Sequence, residues 1–229
     1  MSELIEKKKS IHEQVHQLIK KGIIEGDYSP NERLYEAKLA RAFRVSRSPV
    51  REAIRTLEKE GLIEQDHQSR IFVYKPNVAD VQQIYQCRQV LESLAVSLSA
   101  EHATTKELED VLEIAIQSEQ AINDEDLESK MRLIHLNSSF HDAIIQCSRN
   151  HRLQKQLNDL RTLTFFYRRM NIDDPTRRIE IVSQHIEIAK ALQLRKKEKA
   201  ASLMHSHIHS DMLYLVRFLE RNESSITLI

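Results

Sequence analysis

Three arginines in the stretch "VSRSPVREAIRTLEKEGL", Arg47, Arg51 and Arg55, stand four residues apart. On a helix that spacing lines their guanidinium groups along one face. Such a row is suited to meeting a polyanion. Val50, Ala53, Ile54 and Leu57 fall on the other face and read as buried. A second group with chemical potential is Asn137, His141 and His185, each set among apolar residues at helical spacing. Asn137 and His141 are one turn apart among Leu133, Ile134, Phe140, Ile144 and Ile145; His185 lies amid Ile181, Val182, Ile188, Ala189 and Leu192. Taken singly, each reads as a hydrogen-bonded core residue. Several from separate helices must find partners in one another or in a ligand, because burying them unpaired is costly.

Two further positions carry alternatives. In "MHSHIHSD" the apolar stripe Met204, Ile208, Met212, Leu215 and Leu219 leaves His205 and His207 on opposite flanks and His209 further out. Periodicity does not choose between the first two. Arg88 occupies the middle of the stripe Ile84, Leu91, Ala95 and Leu98, where a cation needs a partner. Glu92, one turn on, is one; a ligand carboxylate bound bidentately is the other, with Tyr85 placed to line its pocket.

These residues need elements to hold them. The 229-residue chain has only three glycines and four prolines, and 41% of it is hydrophobic, which favours a mostly helical protein with a substantial core. Cys87 and Cys147 fit no CxxC pattern and read as reduced thiols. No apolar run approaches the ~18 residues of a membrane span, so the expectation is a cytoplasmic protein with no membrane partner. The zero net charge hides an asymmetry. Residues 1–75 hold 15 Lys and Arg against 12 Asp and Glu, and the stretch 38–55 holds six cations against Glu52 alone.

Ser10 to Glu13 forms a capping box before the spacing Ile11, Val15, Leu18, Ile19 and Ile23, and Gly26 ends that helix. A short helix follows over Tyr35 to Phe43, with Leu39, Ala40 and Phe43 inward. The arginine helix starts at Ser46 or Ser48, tolerates Pro49 in its first turn and ends at Gly61. Strand-like "LIEQ" and "IFVY" flank the polar loop Asp66–Arg70. Helix, helix–turn–helix and a two-stranded ribbon make a winged helix, whose second paired helix enters the major groove of double-stranded DNA. Pro76-Asn77 marks a boundary, giving domains at 1–75 and 76–229. The second reads as helices alone, over 78–101, 104–122, 126–147, 150–170, 175–194 and 197–220. The expected fold class is mainly α: a winged helix–turn–helix followed by an all-helical bundle.

The segment "RLYEAKLARAFRVSRSPVREAIRTLEKEGLIEQ" resembles the DNA-binding domain of GntR-family bacterial transcription regulators. The remainder resembles the FCD effector domain of the FadR-like branch, through "RQVLE" at 88–92, "FHDAI" at 140–144, "SQHIEIAKAL" at 183–192 and "LMHSHI" at 203–208. The resemblance implies a homodimeric regulator, in the first instance a repressor, on palindromic operator DNA, responding to a small carboxylate effector. It implies DNA contacts from Ser46, Arg47, Ser48 and Arg51, from His67 in the wing, and from Lys38 where the family's basic residue is replaced by Ala37. The family's metal set of one Asp and three His maps onto Asn137, His141, His185 and His207, for a divalent ion such as zinc, nickel or manganese. Arg88 and Tyr85 would hold the effector. Two departures stand out: Asn at 137 in place of Asp, and no glycine at the wing tip in "DHQSRIF". A metal-dependent enzyme and a regulator sensing the metal itself are the competing readings. The enzyme lacks an evident general base beside the histidines.

Overall fold

The structure, a computed structural model, describes residues 10–122 and 126–222. Ser10 caps the first helix, α1 (Ile11–Glu25), with a reciprocal capping box to Glu13, and Gly26 closes it in the left-handed region at φ 89°. Strand β1 (Arg33–Leu34), α2 (Glu36–Ala42), α3 (Arg47–Lys59), β2 (Ile63–Gln65) and β3 (Ile71–Val73) follow. The three strands form an antiparallel sheet in the order β1-β3-β2. The third strand extends the ribbon expected from sequence; two residues are too short to carry an alternating signal.

Helix α3 buries Val50, Ala53, Ile54 and Leu57, as its periodicity requires. Its end is a Schellman turn: Leu62 N–H reaches Leu57 O at 3.0 Å and Gly61 N–H reaches Glu58 O at 3.0 Å, with Gly61 at φ 77°. The same device ends α2, where Val45 N–H bonds Ala40 O and Arg44 takes φ 55°. The short turn to α3 is thus fixed by backbone hydrogen bonds. Lys20 Nζ donates to Glu60 Oε2 at 2.8 Å and His16 Nε2 lies 2.9 Å from Glu60 Oε1, fastening α1 to the end of α3. Ile11 and Leu18, which share the helical spacing of α1, are exposed.

The chain falls into two compact units, one comprising the described residues to Pro76 with Asn222, the other Asn77–Arg221. The second unit contains α4 (Val78–His102), α5 (Thr105–Gln120), α6 (Leu127–Cys147), α7 (His151–Asp159), α8 (Arg161–Asp173), α9 (Pro175–Gln193) and α10 (Lys197–Arg221). Side chains of Asn77, Thr104, Asp126, Asn150 and Asp174 cap α4, α5, α6, α7 and α9. The helix expected over 150–170 is two helices: Leu160 closes α7 and opens α8. Helix α4 packs along α10 and against α6; α8 and α9 touch each other and α10. Ser99 Oγ donates to Ile144 O at 2.6 Å, pinning α4 to α6. No described helix is long and apolar enough to cross a membrane.

Candidate functional site

In the first unit the outer face of α3 is polar. Ser46, Arg47, Ser48, Arg51 and Arg55 are exposed, as are Lys38 on α2 and His67 in the wing. Ser46 is the N-cap residue and makes no side-chain cap hydrogen bond, so its hydroxyl is open to a partner. Arg51 has one: Nε and Nη2 donate to Glu36 Oε1 and Oε2 at 3.2 and 3.1 Å. The wing tip is built without glycine. Asp66 Oδ1 accepts from the N–H groups of Gln68 and Arg70, each at 2.9 Å, and Oδ2 accepts from Arg70 Nε at 2.6 Å. Ser69 then takes the left-handed position, at φ 57°.

In the second unit His141 (α6), His185 (α9) and His207 (α10) converge, with one ring nitrogen from each lying within 4.8 Å of the others. All three are at most 1% exposed. His207 Nδ1 stands 2.8 Å from Gln184 Oε1, and His141 Nδ1 stands 2.5 Å from Glu92 Oε2. A carboxylate or amide oxygen at Nδ1 accepts from an N–H there and leaves the lone pair on Nε2. The Nε2 atoms of His185 and His207 face each other at 3.2 Å, while His141 Nε2 and Asn137 Oδ1 are buried without partners. Phe140 stacks on the His185 ring, centroids 4.0 Å apart, and sets its plane. His205 and His209 are exposed, and His205 meets Gln89 of α4. The choice that periodicity left open is made by packing: His207 is on the flank of α10 that meets α9.

Burial holds the three imidazoles neutral. It lowers the pKa of His141 despite Glu92, that of His207 to about 3, and that of His185 well below the ordinary value. Neutral rings with lone pairs aimed inward are what a divalent cation requires. Asp211 stands one turn beyond His207, with Oδ2 3.8 Å from Nε2. It therefore lies on the lone-pair side of the ring, and Arg177 Nη2 holds its other oxygen at 2.6 Å.

Arg88 and Glu92 are both buried and joined, Nε to Oε1, at 2.7 Å. Burial pushes Glu92 up, but Arg88 and His141 beside it hold its carboxyl well below the usual range. Glu92 satisfies only one edge of the guanidinium. Arg88 Nη1 and Nη2 have no partners, and Tyr85, whose ring lies 4.6 Å beneath the guanidinium carbon, has an unpartnered hydroxyl. Sequence reasoning missed the wall supplied by α8: Thr164, Tyr167, Arg168 and Asn171 are all buried. Arg168 Nε and both side-chain polar atoms of Asn171 lack partners. Burial, then the charge of Arg88, lowers Arg168 to about 10. These four share one face by their i, i+3, i+4, i+7 spacing, but nothing in their residue types marks that face as the buried one.

A winged helix–turn–helix with an outward cationic helix, joined in one chain to a helical bundle with a buried polar centre, is the arrangement of a DNA-binding transcription regulator. Residues 11–73 match the gntR family of bacterial regulatory proteins and residues 83–210 match the FCD domain, so the chain belongs to the GntR family and carries an FCD domain. It is 33% identical over 214 residues to the uncharacterized HTH-type transcriptional regulator YdhC of Bacillus subtilis (strain 168), covering 93% of this chain and 94% of that one. It is 25% identical over 198 residues to the HTH-type transcriptional repressor RspR of Escherichia coli (strain K12), covering 86% of each. The solved structure of E. coli McbR/YncC superposes with a TM-score of 0.74 at 23% identity, over 92% of this chain and 99% of that one, and has the same fold.

Proposed function

We propose that the protein is a homodimeric repressor acting in the cytoplasm, whose hold on operator DNA is set by a small organic anion bound beside a divalent metal in the helical unit. The observation that carries this reading is the set of buried polar atoms without partners in one region: Tyr85 Oη, Arg88 Nη1 and Nη2, Asn137 Oδ1 and His141 Nε2. Each such group left bare costs about 1–3 kcal/mol, so several together are explained by a ligand.

In this reading Asn137, His141, His185 and His207 hold the cation, zinc, nickel or manganese, for which imidazole is a suitable donor. When bound, it supplies a positive centre for an anionic ligand. Glu92 and Gln184 position His141 and His207 through their Nδ1 atoms, and Arg88 and Tyr85 bind the effector. The N-terminal half of α3 reads DNA through Ser46, Arg47, Ser48 and Arg51, with Lys38 and His67 on its flanks. Arg51 exchanges Glu36 for a phosphate or base edge. Helix α4 begins five residues after β3 ends, so a change in α4 on ligand binding is passed along the chain toward the wing. Cys87, Val90 and Leu94 form an exposed stripe on α4, with Val90 67% and Leu94 45% exposed, and supply the dimer contact. The repressor assignment follows the name of the RspR relative.

The test is elemental analysis after dialysis against zinc, nickel and manganese in turn, with light scattering on the same samples. One ion per chain in a dimer is expected, with tighter retention in Asn137→Asp, where a carboxylate replaces a neutral oxygen. A cation-free protein under all three conditions would reduce the histidines to a polar core; a monomer at micromolar concentration would remove the dimer.

A further inference from the structure

Between the first turns of α9 and the C-terminal half of α10 lies a cavity of about 260 Å³. That is near the lower end, about 300 Å³, of pockets that hold small molecules. Helix α9 contributes Asp174, its N-cap residue, with Thr176, Arg177 and Glu180. Helix α10 contributes Ser210, Leu213, Tyr214 and Arg217, which their i, i+3, i+4, i+7 spacing sets on one face. Neither Arg88 nor any of the three converging histidines lines it. Two hydrogen bonds fix its walls relative to each other. Tyr214 Oη donates to Asp174 Oδ2 at 3.3 Å, and Arg177 Nη1 donates to Ser210 Oγ at 2.9 Å. Burial, then the charge of Asp174, pushes the Tyr214 hydroxyl up to about 12, which keeps it protonated as the donor.

The wall carries both signs of charge in equal number, Asp174 and Glu180 against Arg177 and Arg217. Each sign is satisfied only in part. Arg177 is 3% exposed, and its Nε has no partner, although Glu180, Ser210 and Asp211 hold its Nη atoms. Arg217 is exposed and makes no hydrogen bond or ion pair among the described residues. On the acidic side, Glu180 meets Arg177 through Oε2 and leaves Oε1 free, on a side chain that is 55% exposed. Guanidinium groups only donate and carboxylates only accept, so one kind of ligand group cannot serve both. A simple anion would be repelled by Asp174 and Glu180, and a simple cation by Arg177 and Arg217. The ligand that fits carries a carboxylate and an ammonium close together and no net charge. Leu213 and the Tyr214 ring offer apolar surface to a carbon side chain.

We propose that this cavity binds a free α-amino acid, its carboxylate on Arg217 and Arg177 Nε and its ammonium on Glu180 and Asp174. The site shares no residue with the metal and effector reading above, so either can fail alone.

Calorimetry on the full chain at constant ionic strength tests it, with glycine, L-leucine and L-phenylalanine as zwitterions and propionate and ethylamine as the half-molecules. Saturable binding of one amino acid per chain is expected for at least one of the three, with each half-molecule about tenfold weaker or more. Arg217→Ala and Glu180→Gln, both at exposed side chains, should each weaken the amino acid about fivefold or more, the scale of one charge-assisted hydrogen bond. Glu180→Gln should also shift preference from ethylamine toward propionate, a change that damage to the fold does not produce. Binding should persist after metal is removed by a chelator. Absence of saturable binding by all three amino acids makes the cavity a solvent-filled groove and overturns the proposal. So does a half-molecule that binds as tightly as the best amino acid, or wild-type affinity in both variants. Loss of binding on chelation overturns it too, because it places the ligand at the metal.

Discussion

Replacing Glu92 by Gln tests how the buried centre is held together. Glu92 is 2% exposed and serves two elements at once, accepting from Arg88 Nε at 2.7 Å and lying 2.5 Å from His141 Nδ1. The amide keeps the shape but loses the charge. Its oxygen can accept from one of the two donors, and its NH2 then confronts the other. Breaking a buried ion pair on one side costs about 3–5 kcal/mol, because the remaining charge is stranded. In a unit the size of Asn77–Arg221 each kcal/mol lowers Tm by about 2–4 °C, so a fall of roughly 6–20 °C is expected by differential scanning calorimetry. Metal affinity should also drop by about 10–100-fold, since His141 loses the group that fixes its tautomer. Adding Arg88→Met to Glu92→Gln should recover part of the lost Tm, as the cation that Glu92 pairs is then removed with it. A single variant within about 2 °C of wild type, or a double variant as unstable as the summed singles, would refute the reasoning.

The geometry also sets the outcome of single substitutions elsewhere. Arg47→Ala should weaken specific DNA about tenfold or more in fluorescence anisotropy and relax sequence preference, while Glu36→Ala should tighten DNA binding a few-fold by releasing Arg51. Asp66→Ala should speed amide exchange at Gln68 and Arg70 at least about tenfold by hydrogen-exchange NMR, since its carboxylate closes the glycine-free wing. His207→Ala should empty the proposed metal site and His205→Ala should leave its occupancy unchanged, by elemental analysis, because only the first is buried among the other histidines.

Much of this architecture is legible in the sequence, and the rest fails for identifiable reasons. The buried face of α3 and its outward arginines follow from one strong period, and Gly26 and Gly61 stop helices in the left-handed conformation that glycine favours. Strand β1 is too short for any period. The break at Leu160, which closes α7 and opens α8, carries neither Gly nor Pro and so leaves no mark in the sequence. At the site, Asn137, His141 and His185 stand out because polar residues interrupt apolar stripes. His207 does not, since it and His205 flank their stripe equally and only the contact with α9 separates them. Arg168 and Asn171 are concealed in "LTFFYRRMNID", where aromatic and charged residues crowd every phase of the helix. Gln184 is invisible for a different reason: a glutamine gives no sign of burial until its partner, His207, is known.

In the proposed function an anion bound through Arg88 in the helical unit governs DNA binding by α3. Fluorescence anisotropy of the metal-loaded full chain on the DNA upstream of its own gene tests it most directly, with and without a panel of mono-, di- and tricarboxylates and sugar acids. At least one anion should shift the wild-type affinity about tenfold or more, and the same anion should have no effect on Arg88→Gln, which still binds the DNA. Superimposable curves across the whole panel, or a shift that persists in Arg88→Gln, would contradict it.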